Sequence, residues 1–87
     1  MQRYFFHTQD GQSFHDADGT LLDDDDAARV EAARVLGQLV NEHPSHIWRD
    51  DQFHIIVTDA SGLVLFQLEL AAMNAPTSLR PPAGKPV

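Results

Sequence analysis

Apolar residues recur at helical spacing between Asp23 and His43. Ala28, Ala32, Val35, Leu36, Leu39 and His43 gather on one side of a 100° wheel, with Ala33 and Val40 beside them. Glu31, Arg34, Gln38, Asn41 and Glu42 fill the opposite arc. The pattern predicts one amphipathic helix. Four aspartates, Asp23 to Asp26, stand at its start, where a carboxylate can accept a bond from an orphan backbone N–H and sits beside the positive end of the helix dipole. Pro44 marks its end.

Elsewhere the period is two. In RYFFHTQ, Arg3 to Gln9, one face carries Tyr4, Phe6 and Thr8 and the other Arg3, Phe5, His7 and Gln9. Asp10-Gly11 is a hairpin turn signal, and Gln12 to His15 can return as a short second strand. Asp16-Ala17-Asp18-Gly19 reads as a further turn, and Thr20-Leu21-Leu22 leads into the helix. After the helix, SHIWRDD reads as an irregular connection, with Ile47 and Trp48 placed to lid the core. Gln52 to Thr58 is the third strand, alternating Phe53, Ile55 and Val57 against His54, Ile56 and Thr58. A turn over Asp59 to Gly62 precedes the fourth strand, Leu63 to Leu70. Its Val64, Phe66, Leu68 and Leu70 form a continuous apolar face that is expected to pack under the helix. Residues 71–74 can add a helical turn.

These elements predict an α+β fold of order ββαββ: a four-stranded, mainly antiparallel sheet with one helix packed on one face. The domain is expected over residues 1–74. Residues 75–87 hold four of the five prolines and no periodicity, and read as a tail without fixed structure. One helix covers only one face of such a sheet. The other face is expected to present His54, Ile56, Leu63 and Leu65 with either Phe5 and His7 or Tyr4 and Phe6 from the first strand, Phe5 and His7 being the candidates. Such a partly apolar surface invites a second copy of the chain or a protein partner.

Charge narrows the choice of partner. Thirteen acids stand against six bases, a net −7, and residues 1–74 hold all thirteen acids with only four of the bases. Direct binding of nucleic acid calls for clustered Lys or Arg to neutralise phosphates, whereas Arg3, Arg29, Arg34 and Arg49 are scattered among acids. Masking of a basic protein fits this balance better. The absence of cysteine rules out disulfides, thiol catalysis and Cys-based zinc sites. With no apolar run of membrane-spanning length and no signal-peptide pattern, a cytoplasmic location is expected.

Two motifs carry candidate chemistry. Asp16-Ala17-Asp18-Gly19-Thr20-Leu21 matches the D-x-D-G-T-L string of haloacid-dehalogenase-type phosphatases, but it follows a short polar stretch rather than a buried parallel strand, so a turn explains it better. An EF-hand reading fails for want of a Glu at the twelfth loop position and of flanking helices. Five histidines raise a metal- or ligand-binding alternative, with His7, His15 and His54 as the candidate ligands on neighbouring strands. Against it, no HxH or HxxxH spacing brings two of them together. Ser13, Ser45, Ser61 and Ser78 lie in turn, loop or tail contexts, so no catalytic residue and no cofactor is implied.

The string Arg3-Tyr4-Phe5-Phe6-His7, followed by Asp10-Gly11, Asp16 with Gly19, and the AAR that begins at Ala27, resembles a family of small bacterial proteins known as a domain of unknown function. The likeness covers residues 1–70 and implies a compact bacterial domain without a known activity. More distantly, the order of hairpin, acidic turn, helix and further strands resembles HicB-type antitoxin domains, which neutralise a small RNA-cleaving toxin. The expectation is a non-enzymatic regulatory or interaction module, acting as a homodimer or by masking a basic partner.

Overall fold

The computed structural model describes residues 1–50 and 52–75. Its elements follow the order β1 (Gln2–Gln9), β2 (Ser13–Phe14), β3 (Thr20–Leu22), α1 (Asp25–Glu42), α2 (Pro44–Asp50), β4 (Gln52–Thr58) and β5 (Val64–Ala71). The class is α+β, and the pairings of β1 with β2, β3 and β4, and of β4 with β5, are all antiparallel. The main path is β2-β1-β4-β5, with β3 also paired to β1. Two elements therefore depart from the expected ββαββ. Thr20–Leu22 forms a fifth strand, and Pro44–Asp50 is a second helix rather than an irregular connection.

The even-numbered residues of β1 meet the odd-numbered residues of β4: Phe6 lies opposite Val57 and Thr8 opposite Ile55. This register places Tyr4, Phe6, Phe53, Ile55 and Val57 on one face, and all five are buried. Ala28, Ala32 and Leu36 of α1 and Ile47 of α2 close the core from above. Burying side chains such as Phe53, Ile55 and Val57 stabilises the fold by about 1.5–3 kcal/mol each. Ile47 joins the core as expected, whereas Trp48 is 64 % exposed and does not cap it.

Asp24 is the N-cap of α1, its carboxylate accepting the Ala27 N–H at 2.8 Å, and Asp25 and Asp26 occupy the first turn. A second tie holds the helix start to the sheet: the Tyr4 hydroxyl donates to Asp25 Oδ1 at 2.7 Å. That bond, with burial and the nearby acids, pushes the Tyr4 pKa up to about 12. His43 is the C-cap, and Pro44 opens α2, a position that suits proline because the first helical N–H has no intrahelical partner.

The expected packing of β5 under the helix is only half realised. Phe66 and Leu68 are half-buried against the core, but Val64 is 55 % and Leu70 38 % exposed. Leu63 precedes the strand and is exposed, while Ala71 extends the strand in place of the expected helical turn. A register shift at Val57/Thr58 pairs Thr58 with Val64 and leaves Leu65 without a residue directly opposite. The proposed tail falls almost wholly outside the described residues. No helix among the described residues is long and apolar enough to cross a membrane.

Candidate functional site: the uncovered face and margins of the sheet

The face away from the helices is assembled by the pairings Phe5–Thr58, His7–Ile56–Gln67 and Gln9–His54–Glu69. Phe5, His7, His54 and Ile56 therefore share this face, each half-buried, and the register assigns Tyr4 and Phe6 to the other. Leu65 is half-buried and packs against the core cluster, and Leu63 stands off in the turn. These two do not join the other four as one continuous patch.

His7 is bonded on both ring nitrogens. The Asp16 backbone N–H donates to Nδ1 at 3.1 Å, and Nε2 lies 3.0 Å from Thr58 Oγ1. Because Nδ1 accepts, the proton of the neutral ring sits on Nε2 and is donated to the Thr58 hydroxyl. Burial, and then the neighbouring His15, hold the His7 pKa below its ordinary value of 6.5, against the opposing pull of Asp16. His15 stacks on His7 with ring centroids 4.3 Å apart and planes 18° from parallel.

Asp16 is the structural centre of this region. Strand β3 pairs with residues 2–4 of β1 and β2 with residues 8–9, leaving the stretch between them without a strand partner on that side. The carboxylate fills the gap: Oδ2 accepts the Phe6 N–H at 3.1 Å. Oδ1 accepts the Gly19 N–H at 3.1 Å and the Asp18 N–H at 3.2 Å, folding the loop into an Asx-type turn. Burial pushes the Asp16 carboxyl up, but the three N–H donors and His7 outweigh it, and its pKa lies below the ordinary 3.8. Gly19 has φ +71°, and a Cβ there would come within 2.9 Å of the Tyr4 carbonyl oxygen and 2.8 Å of Arg3 Cγ. The D-x-D-G string thus builds a strand edge.

Asp59 repeats the device at the β4–β5 turn, where Oδ1 accepts from the Ser61 hydroxyl at 2.6 Å and from the Ser61 and Leu63 N–H groups. The Ser61 hydroxyl foremost, set against burial and aided by backbone N–H groups, holds the Asp59 pKa below 3.8.

The candidate ligands His7, His15 and His54 line one shallow hollow of about 170 Å³, together with Gln9, Phe14 and Ile56. Among the described residues, no group of three or more His, Asp or Glu is arranged to hold a metal ion. His7 could turn a nitrogen to a ligand only by giving up one of its two bonds. A hollow of about 490 Å³ lies on the helix side of β1 between Phe14, Glu31, Val35 and Leu39. Glu31 is held there by a two-point ion pair with Arg34, at 2.9 and 2.6 Å.

Sequence reasoning missed a second groove, of about 220 Å³, between α1 and β5, lined by Arg29, Ala32, Phe66, Gln67 and Leu68. The Arg29 guanidinium sits 5.6 Å from the centre of the Phe66 ring. The signal was present in the apolar alternation of β5. Its exposure depends on how far the helix reaches across the sheet, which periodicity does not report.

Neither the curated proteins nor the solved structures include a match to this chain. A family model does match, over residues 3–71, and the elements described above from β1 to β5 fall almost entirely within it. The chain belongs to the DUF6894 family, a domain of unknown function.

Proposed function

We propose that the chain is a non-enzymatic protein-interaction module that works in the cytoplasm by self-association, or by masking a basic partner protein. One observation carries this reading: β5 has β4 on one side and no strand on its other side among the described residues, while its apolar side chains are only partly covered. An edge of unpaired N–H and C=O groups beside uncovered apolar side chains is a template for another chain. The open face, with Phe5, His54 and Ile56, offers the same module a second apolar surface. The two titratable groups whose environments are most elaborate, His7 and Asp16, border shallow hollows but spend their polar atoms on backbone N–H groups and on Thr58, as supports do.

Light scattering over a concentration series, with and without zinc, tests the proposal. Twice the monomer mass, independent of zinc, is the expected result. A monomer at every concentration, stabilised by zinc in the parent chain and not in His7→Ala, would instead favour a histidine-based ligand site. The hollow shared by His7, His15 and His54 is what keeps that second reading alive.

A further inference from the structure

We infer that β5 pairs antiparallel with β5 of a second copy, about a twofold axis that passes through Gln67 perpendicular to the sheet. This rests on the self-association reading and specifies its surface and register.

Charge points to this margin. Two chains of net −7 repel one another, and twelve of the thirteen acids lie outside Val64–Ala71. Glu69 is the sole charged residue of the strand. Negative charge concentrates instead at the start of α1 and in the turns. A second copy therefore meets the least repulsion along β5.

Edge strands of soluble proteins are usually blunted by Lys, Pro or inward-pointing charge. β5, VLFQLELA, contains neither Lys nor Pro. Its irregularity at Val57/Thr58 lies near its first residue and leaves Phe66 to Ala71 in regular register.

The register follows from side-chain parity. A twofold perpendicular to the sheet keeps both α1 helices on one side and places residues of equal parity opposite each other. With the axis on Gln67, Phe66 faces Leu68 of the second copy and Leu68 faces Phe66, so the two α1–β5 grooves meet and close each other. Both of these pairs lie within the regular stretch, and Leu70 continues the same face beyond them. An axis on Glu69 would set carboxylate against carboxylate. Directly opposed residues of an antiparallel pair have Cα atoms about 4.5–5.5 Å apart whichever phase of the ladder holds. The result is one continuous sheet of order β2-β1-β4-β5-β5-β4-β1-β2.

The chain has no cysteine, so single cysteines report this geometry directly. Full-length Gln67→Cys and Glu69→Cys are oxidised at a concentration where light scattering shows the dimer, and the cross-linked fraction is read by non-reducing electrophoresis. In the Gln67→Cys dimer the two opposed thiols fall within the roughly 4.4–6.8 Å Cα separation a disulfide requires. In the Glu69→Cys dimer the two thiol-bearing positions are about 14 Å apart at 3.4 Å per residue and cannot be bridged. The expected result is a cross-link in Gln67→Cys at least tenfold faster than in Glu69→Cys. Equal rates, or none in either variant while the dimer persists, would overturn the β5 register and leave the interaction reading standing. A monomer at all concentrations would overturn both the register and the self-association reading on which it rests.

Discussion

The two margins of this sheet are finished in different ways. Beyond β1, residues 13–22 close the edge in three pieces: β2 at one end, β3 at the other, and the Asp16 carboxylate on the Phe6 N–H between them. Beyond β5 nothing comparable exists among the described residues. The contrast shows that this fold can seal an edge with a ten-residue loop and one carboxylate. An open edge is therefore not a necessity of its small size. The loop that seals β1 carries Asp16 and Asp18, whereas the open strand carries Glu69 alone, so the acidic surface and the available surface are segregated.

The sharpest way to break the contrast is Gly19→Ala. A Cβ at that position meets backbone and two side chains below 3.0 Å, on a residue already in the left-handed region. Strain and overpacking together should cost about 3 kcal/mol or more, read as a lowered midpoint in urea. Asp16→Ala comes next. Removing the acceptor of three N–H groups, with the Phe6 N–H left unpaired between strands, should cost about 2–3 kcal/mol. Hydrogen exchange at Phe6 should rise before exchange in β4.

Acid should weaken the sealed margin in two stages. The His7 pKa lies below 6.5, so its neutral ring contributes stability that is present above about 6.5 and is lost as pH falls below it, when the unfolded histidine gains its proton first. The Asp16 pKa lies below 3.8, so its contribution persists above 3.8 and is lost as pH falls through the lower folded value. Thermal melts should show the first stage disappear in His7→Gln. At the alkaline end, Tyr4 contributes stability that is full below 10 and lost as pH rises toward 12, and Tyr4→Phe should remove that dependence.

The smallest effect on folding is expected at the other margin. Leu70→Lys alters a residue that is 38 % exposed and should change unfolding free energy by about 0.5 kcal/mol or less. The same substitution should weaken the dimer at least tenfold, measured by sedimentation equilibrium. A large loss of stability with no change in association would erase the distinction between the two edges.

Much of the fold is legible from periodicity, because its central elements are long enough to show it. Helix α1 and the division of β1 and β4 into two faces follow directly from spacing, but which face of β1 meets the core, and so which side His7 takes, comes only from the register with β4. The missed elements are short. Thr20–Leu22 has too few residues to alternate, and its pairing depends on β1 being shared by two strands. Pro44 signals a stop and is equally a start, since α2 begins on it. At the candidate site, the Asp16 turn is readable from residue type. Its bond to Phe6 is not, because that bond exists only where the registers of β2 and β3 leave a gap. Likewise, the alternation of β5 is plain while its uncovered state depends on helix placement.

The long separation between β1 and β4 also bears on how the molecule is made. β1 is hydrogen-bonded along its inner side to a strand that begins at Gln52, fifty positions after β1 itself begins. At about 5–20 residues per second, the ribosome needs roughly 3–10 s to deliver that partner. During this interval Tyr4 and Phe6 wait for Ile55 and Val57, and the apolar side of α1 has little to rest on. The β2–β3 loop is complete by Leu22, so a nascent chain can shield one flank of β1 long before the other flank is filled.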